Sequence, residues 1–141
     1  DLTTAIYHNH PNCTSKQIVR GVLGGESTGV FQGKVRVAPD AQKTDGQQMS
    51  KVILVSDKAS ANAKPELEIY ADDVVCAHGA TVGELDDDEL FYLNSRGIPP
   101  DKAREILIIA FLEDIITQSV DLSLHDFIFT EAKVDLLSIL K

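Results

Sequence analysis

The chain has 141 residues, which suits one domain or a small domain with an appendage. Its 13 Lys and Arg against 22 Asp and Glu give a formal net charge of -9. That balance argues against general affinity for nucleic acid or anionic membranes, because such binders need clustered positive charge. Two cysteines do not make a disulfide framework, which favours a reducing, cytoplasmic location. The longest apolar run, 106–112, is too short to span a bilayer.

The first part of the chain, up to about residue 85, is rich in short β-type segments separated by turn residues. The predicted strands are Thr3–Tyr7, 17–23, 29–38, 52–57, 66–71 and 73–79. The predicted turn residues are Gly24, Gly25, Gly29, Gly33, Asp45, Gly46, Asn62, Pro65 and Gly79. Many short strands at regular spacing favour a sandwich, a barrel or a solenoid, and periodicity alone does not choose among them. No sequence motif repeats.

Helical signals begin at Asp86. This residue is a predicted N-cap, and Glu89 follows three positions later as in a capping box. Acidic residues crowd the first turn, where the helix dipole favours them. Gly97 is placed to end the helix as its C′ residue.

Two further helices are predicted after the first. Pro99-Pro100 can open the second, because proline is tolerated at the first helical position. Its shared apolar face is predicted to comprise Ala103, Ile106, Leu107 and Ala110. Since 108–112 is also apolar, this helix should be deeply buried or should dock against another chain. A third helical segment is predicted over 120–141, with apolar residues at Leu124, Phe127, Ile128, Val134, Leu137 and Leu140.

The stretch 72-DDVVCAHGATVG-83 carries the principal candidate site. Residues i and i+2 of a strand point to the same face, so Cys76 and His78 should project together. A thiolate and a neutral imidazole so placed can ligate a soft or borderline metal, or can act as nucleophile and base. The alternative is a buried thiol that packs beside a half-exposed imidazole. Two residues do not complete a zinc site, and spacing alone favours packing.

A second group of possible ligands lies near the start of the chain. His8 and His10 have the same i, i+2 spacing, and Cys13 follows closely. Pro11 should end the strand geometry there, so a polar loop is the favoured interpretation. Elsewhere, the glycines of 24–33 do not fit the GxGxxG or GxxxxGK[ST] phosphate-binding patterns. The chain also lacks the Gly-x-Ser-x-Gly and HExxH motifs.

Three segments together resemble the SufB/SufD family of iron–sulfur cluster assembly scaffold proteins. They are 29-GVFQGKVRVA-38, 41-AQKTDGQ-47 and, most specifically, 65-PELEIYADDVVCAHGATVGELDDDELFYLNSRGI-98. The stretch from Cys76 to Thr81 is similar to SufD-type members, whereas SufB-type members typically carry Glu-His-Glu-Ala there. Members of the family are several hundred residues long, so the resemblance implies that this chain is a C-terminal fragment.

The resemblance implies a mainly β fold with a helical addition. Residues 1–85 are expected to form the C-terminal rungs of a right-handed parallel β-helix, and 86–141 a C-terminal helical domain. Each rung of such a fold cannot bury its faces alone and is covered by its neighbour.

The resemblance also implies a function. SufD-type members are non-catalytic subunits that pair with SufB through the last rungs, while the ATPase SufC docks on the helical domain and hydrolyses ATP. The complex assembles nascent iron–sulfur clusters and passes them to apo-proteins. On this basis His78 and Cys76 are candidate ligands of a transient cluster shared with SufB, and His8, His10 and Cys13 have no assigned role.

Two other classes stay open at this point. One is a β-helix enzyme that uses Cys76 as nucleophile and His78 as base, and the other is a purely structural interaction module. For the isolated chain, the apolar helix and the implied pairing of rungs predict a homodimer. Because only two ligands are at hand, iron or zinc should bind weakly, and no stably bound cofactor is expected.

Overall fold

The computed structural model describes residues 1–119 and 121–139 and shows a mixed α/β fold. Six strands come first and three helices follow, as the composition of the two parts of the sequence predicts. The strands are β1 (Leu2–His8), β2 (Thr14–Leu23), β3 (Thr28–Val37), β4 (Asp45–Leu54), β5 (Ser60–Ile69) and β6 (Val75–Gly83), and the helices are α1 (Asp87–Ser95), α2 (Pro100–Ser119) and α3 (Leu122–Ile139).

The chain divides into two compact units. The first contains most of the strand residues, in the segments Asp1–Gly21, Thr28–Val52 and Ser60–Val82. The second contains the chain from Gly83 onward together with two short segments, Val22–Ser27 and Ile53–Ala59.

The strands separate into two three-stranded sheets by odd and even number. One sheet has the order β1-β3-β5 and the other has the order β2-β4-β6. In the odd sheet the pairing is parallel, with Leu2 opposite Phe31 and Thr28 opposite Ser60. A strand therefore pairs with the strand two places later, because a parallel pair needs a crossover and the even strands supply it.

The core of the first unit lies around the C-terminal half of β3. Val35 and Val37 are fully buried with Ala41 and Ala71, and partly buried apolar side chains pack around them. Those surrounding residues are Ile6, Ala38, Leu67, Val74 and Cys76. The core thus draws on segments from Ile6 to Cys76, and no single segment could bury it alone.

Two strands begin six or seven residues earlier than the sequence predicts. The predictions of 52–57 and 66–71 were wrong at their starts, since β4 begins at Asp45 and β5 at Ser60. Most of the predicted turn residues also lie inside strands: Gly29, Gly33, Asp45, Gly46, Asn62, Pro65 and Gly79. Glycine here permits close approach of a neighbour, and Pro65 is tolerated because β5 is the last strand of its sheet.

The ends of α1 agree with the sequence. The Asp86 carboxylate accepts hydrogen bonds from the backbone N–H groups of Asp88 and Glu89, at 2.8 and 3.2 Å. At the other end Gly97 has a φ of +84°, its N–H donates to Asn94 O, and the N–H of Ile98 donates to Leu93 O. These paired bonds form a Schellman motif, for which glycine is the favoured C′ residue.

Helix α2 begins at Pro100 as predicted, but its buried side differs from the predicted one. Ala103 is buried, whereas Ile106 and Ala110 are exposed, and the other buried positions are Ile108 and Ile116. The helix is apolar on nearly every side, so its own periodicity does not select a face. Contacts with α1 and α3 determine which side of α2 is buried. None of the described helices is long and apolar enough to cross a membrane.

The third predicted helix is also present. Three of the apolar residues named for it, Leu124, Phe127 and Val134, have exposed side chains. The buried side of α3 carries Leu136, which with Phe129 and Ala132 faces Ile109 and Leu112 of α2. Of the other predicted positions, the Leu137 side chain and the whole of Val120, Leu140 and Lys141 lie outside the described residues.

Candidate functional site

The candidate pair lies on β6, the last strand of the sheet β2-β4-β6. The sequence of this strand, VCAHGATVG, contains no charged residue and no proline. Among the described strands β6 pairs with β4 alone, so its outer edge has backbone N–H and C=O groups free to pair with another strand.

Cys76 is half-buried and points toward the core. A Cβ atom built on Gly46 would lie 3.3 Å from Cys76 Sγ and 3.5 Å from Val35 Cγ1. The thiol thus rests on a gap that the absence of a side chain at Gly46 provides. It belongs to the apolar side chains that surround the buried core, and it is not part of a disulfide.

His78 lies on the same strand and is exposed to solvent. A Cβ atom built on Gly79 would lie 3.0 Å from Met49 Cε, just as the one built on Gly46 meets Cys76. Cys76 comes thirty positions after Gly46, and Gly79 comes thirty positions after Met49. The same offset between β4 and β6 places His78 beside Gln48. Since side chains alternate along a strand, Cys76 and His78 share one face, and Gly79 lies on the other with Met49.

His8 approaches the same region from β1. It is only 5% exposed, and its Nε2 lies 2.8 Å from Ser15 Oγ. A Cβ atom built on Gly46 would lie 3.8 Å from His8 Nε2 and 3.3 Å from Cys76 Sγ. The imidazole and the thiol therefore lie on either side of the same small space. The sequence gives no signal for this proximity, because it depends on how three separate strands stack.

The other early candidates are not part of this cluster. Strand β1 ends at His8, so His10 lies beyond it and is exposed, as the position of Pro11 predicts. The Cys13 thiol donates a weak hydrogen bond to Pro11 O at 3.8 Å. Within residues 1–119 and 121–139, no three His, Cys, Asp or Glu side chains are grouped so that they could hold a metal ion.

The two final strands differ in how their edges are protected. On β5, Pro65 interrupts the hydrogen-bonding edge, and Lys64, Glu66 and Glu68 carry charge along the strand. On β6, by contrast, the apolar residues Val75 and Val82 are exposed. Charges and proline on edge strands discourage unwanted pairing, so of these two edges β6 is the one that remains open to a partner.

Comparison with known proteins places this chain beside iron–sulfur cluster assembly proteins. The family model described as "SUF system FeS cluster assembly, SufBD core domain" matches residues 1–111. The iron–sulfur cluster assembly protein SufD of Escherichia coli is 44% identical over 115 residues, which is 82% of this chain and 27% of the relative.

Two other relatives give similar values. A SufBD family protein of Synechocystis is 43% identical over 118 residues, 84% of this chain and 26% of the relative. SufD of Bacillus subtilis is 34% identical over 118 residues, 84% of this chain and 27% of the relative. The chain therefore spans about a quarter of the length of these relatives.

Proposed function

The chain belongs to the SufBD family of iron–sulfur cluster assembly proteins and resembles its SufD members, and on that premise we propose that it is a non-catalytic scaffold subunit. It would support assembly of nascent iron–sulfur clusters at an interface with SufB and their transfer to apo-proteins. The observation that carries this proposal is the exposed, unprotected edge strand β6 with Cys76 and His78 on one face.

The proposed architecture extends the observed sheets. Parallel pairing of β1 with β3 and of β3 with β5 repeats at an offset of about thirty residues, with an even-numbered strand between each pair. This repeat is what stacked rungs of a right-handed parallel β-helix require. We assign residues 1–85 to such rungs and 86–141 to a C-terminal helical domain.

The proposed cluster site is shared between two chains. Iron in such clusters is usually held by cysteine thiolates, and histidine can replace them. Cys76 and His78 supply two groups, and the part of the chain that the structure describes offers no third in a metal-binding arrangement. The cluster would be a substrate that the complex assembles and passes on. SufB would complete its ligand set where an edge strand of SufB meets β6.

The remaining assignments concern the partner ATPase and the compartment. SufC would dock on the helical part, around 86–111, and would carry out ATP hydrolysis, in keeping with a sequence that has no GxxxxGK[ST] pattern. The cytoplasm is the proposed location, and the net charge of -9 disfavours nucleic acid as a partner.

The proposal is tested by replacing His78 in the protein reconstituted with SufB and SufC. His78→Ala should lower the iron and sulfide content of the complex sharply, because solvent replaces a lost ligand poorly. The melting temperature should stay nearly unchanged, since the side chain is exposed. The matched control is His10→Ala, which removes another exposed imidazole that lies beyond the end of β1.

A normal cluster yield with a depressed melting temperature would contradict the ligand role of His78. The cost of leaving its hydrogen-bond partners unsatisfied would then be about 1–3 kcal/mol. Loss of yield in both the His78 and the His10 variants would also contradict it, because the effect would not be specific to β6.

A structural role is the second candidate for Cys76, and it has its own support. The thiol packs against the buried cluster that contains Val35, beside the space at Gly46, as a small apolar side chain would. Cys76→Ala preserves an apolar residue and removes the ligand, so full cluster yield with that variant would assign Cys76 to packing alone. A sharp loss of cluster at unchanged stability would assign it to the site.

Metal binding to the isolated chain gives a further test. Because the proposed site needs SufB, iron or zinc should bind weakly to this chain by itself. Tight, stoichiometric metal in the purified chain, measured by elemental analysis, would contradict a shared site.

A further inference from the structure

Two buried polar side chains on β4 have atoms without a hydrogen-bond partner among the described residues. Gln48 is 2% exposed and Ser50 is fully buried, and the atoms concerned are Gln48 Oε1 and Ser50 Oγ. Burial alternates along this strand: Gly46, Gln48 and Ser50 are buried, while Gln47 and Met49 are exposed. Gln48 and Ser50 therefore point into the same interior space between the sheets.

The orientation of the Gln48 amide is fixed by its neighbour Gln17. Gln48 Nε2 donates to Gln17 Oε1 at 2.7 Å, and the same oxygen accepts from Thr4 Oγ1 at 3.2 Å. With Gln17 Oε1 accepting from Thr4, reversal of the Gln48 amide alone would set two oxygens against each other, so in this arrangement Gln48 Oε1 is the atom left as an acceptor. The absence of a side chain at Gly33 gives this amide the room it occupies.

Leaving such groups unpaired in a protein interior is costly. A buried donor or acceptor without a partner costs about 1–3 kcal/mol, and nearly all buried polar atoms in folded proteins are satisfied. A water molecule can donate one hydrogen bond to Gln48 Oε1 and exchange another with Ser50 Oγ. Buried waters commonly serve otherwise unsatisfied groups in this way.

We infer that the interior between the two sheets contains a bound water site formed by Gln48 and Ser50. The site lies beneath the face that carries the candidate pair, because the register sets Gln48 beside His78 and Gly46 beside Cys76. The interior is thus divided along β4, with an apolar core near Val35 and a polar, hydrated compartment near Ser50.

Whether Ser50→Ala lowers or raises the stability of the full chain tests this site. If Ser50 binds water, Ser50→Ala should raise the unfolding equilibrium constant about tenfold, because the water loses a partner and Gln48 is left unsatisfied. If the compartment is dry, Ser50→Ala removes an unsatisfied hydroxyl and should leave stability unchanged or higher. Urea unfolding monitored by circular dichroism separates these results, and the second would overturn the inference.

A double-mutant cycle shows whether Gln48 and Ser50 hold the same water. Gln48→Met keeps the length of the side chain, and combined with Ser50→Ala it should destabilise much less than the two single effects added together. Additive effects would overturn the shared site.

The matched control for this cycle is Thr44→Val. Thr44 is also buried, but its hydroxyl donates to Ala41 O at 2.8 Å. Its effect should therefore add to that of Gln48→Met. A high-resolution crystal structure provides the direct reading: a water peak should lie within about 3.2 Å of both Gln48 Oε1 and Ser50 Oγ. An empty compartment there would overturn the inference.

Discussion

Strands β3 and β6 are similar in sequence character but differ in what surrounds them. Both are rich in valine and glycine, yet β3 is paired with β1 and β5 whereas β6 pairs with β4 alone among the described strands. Val35 on β3 is 0% exposed, and Val75 on β6 is 67% exposed. The same residue type is therefore core in one strand and surface in the other, because neighbouring strands and not composition provide burial.

This difference predicts that stability and the proposed function depend on different strands of the first unit. The buried side chains of β3, such as Val35 and Val37, are surrounded by other residues, so replacing them should disturb the fold. Side chains on the uncovered part of β6 have few such contacts and can be changed with little effect on folding. Cys76 stands between the two cases, since its thiol is half-buried on the core while His78 is exposed.

The largest expected effect comes from crowding β3. In Gly33→Ala the new Cβ would lie 2.5 Å from Phe31 Cζ and would also clash with Gln48 Nε2. Overpacking and loss of the Gln48–Gln17 hydrogen bond should lower the free energy of unfolding by about 3 kcal/mol. The control on β6 is Gly83→Ala, where a Cβ would meet nothing within 4 Å. Equal effects in urea unfolding would contradict the comparison.

A cavity in β3 should have the next largest effect. Val35→Ala removes two methyl groups from a fully buried position and should cost about 2 kcal/mol through lost burial and the cavity left behind. Val75→Ala, the same substitution on β6, should change the free energy of unfolding by less than about 0.5 kcal/mol. A comparable loss in both variants would mean that β6 is covered in solution.

The open edge of β6 should mediate self-association of the isolated chain, and a charge there should weaken it. In Val82→Lys an unpaired ammonium would be buried in the interface, so the dissociation constant should rise at least about tenfold. Ile69→Lys on β5 is the control and should have no effect. Light scattering at several concentrations provides the measurement. A mass that stays at 15.4 kDa throughout for the unmodified chain would contradict the pairing itself.

The smallest expected effect concerns charges on β5 that β6 lacks. A hydrogen bond and the charge of Lys64, with a smaller contribution from Lys34, lower the pKa of Glu66 from its usual 4.5. Its ion pairs therefore stabilise the fold above about pH 4.5, and this contribution is lost as the pH falls through the lowered value. Glu66→Gln should remove a slight part of the acid-induced drop in melting temperature. The part that it removes should shrink in high salt, because exposed pairs are screened.

Local signals in the helical part were sufficient for prediction. The N-cap at Asp86, the glycine C′ residue at Gly97 and the start of α2 at Pro100 were all confirmed. Each depends on backbone groups within one turn of the helix, so neighbouring residues in the sequence contain the whole interaction. The shared apolar face predicted for α2 is not its buried side, because that helix has apolar residues around most of its circumference and packing decides which are covered.

The strands show the same division. The family resemblance of residues 65–98 was readable from the sequence and was confirmed by the match over residues 1–111. The early starts of β4 and β5 could not be predicted, because the sequence alone does not distinguish a glycine or proline inside a strand from one in a turn. Their positions are explained only by what lies beside them, such as Cys76 against Gly46.

The sequence by itself determined the order of strands and helices, the helix ends and the family, because these depend on neighbouring residues or on a recognisable pattern of them. Tertiary structure alone decided which valines are core, which edge is open, that His8 approaches Cys76, and that Gln48 and Ser50 share a buried compartment. These features arise where strands about thirty residues apart lie side by side. Burial and hydrogen bonding there are properties of the stacked strands, and a single strand does not possess them.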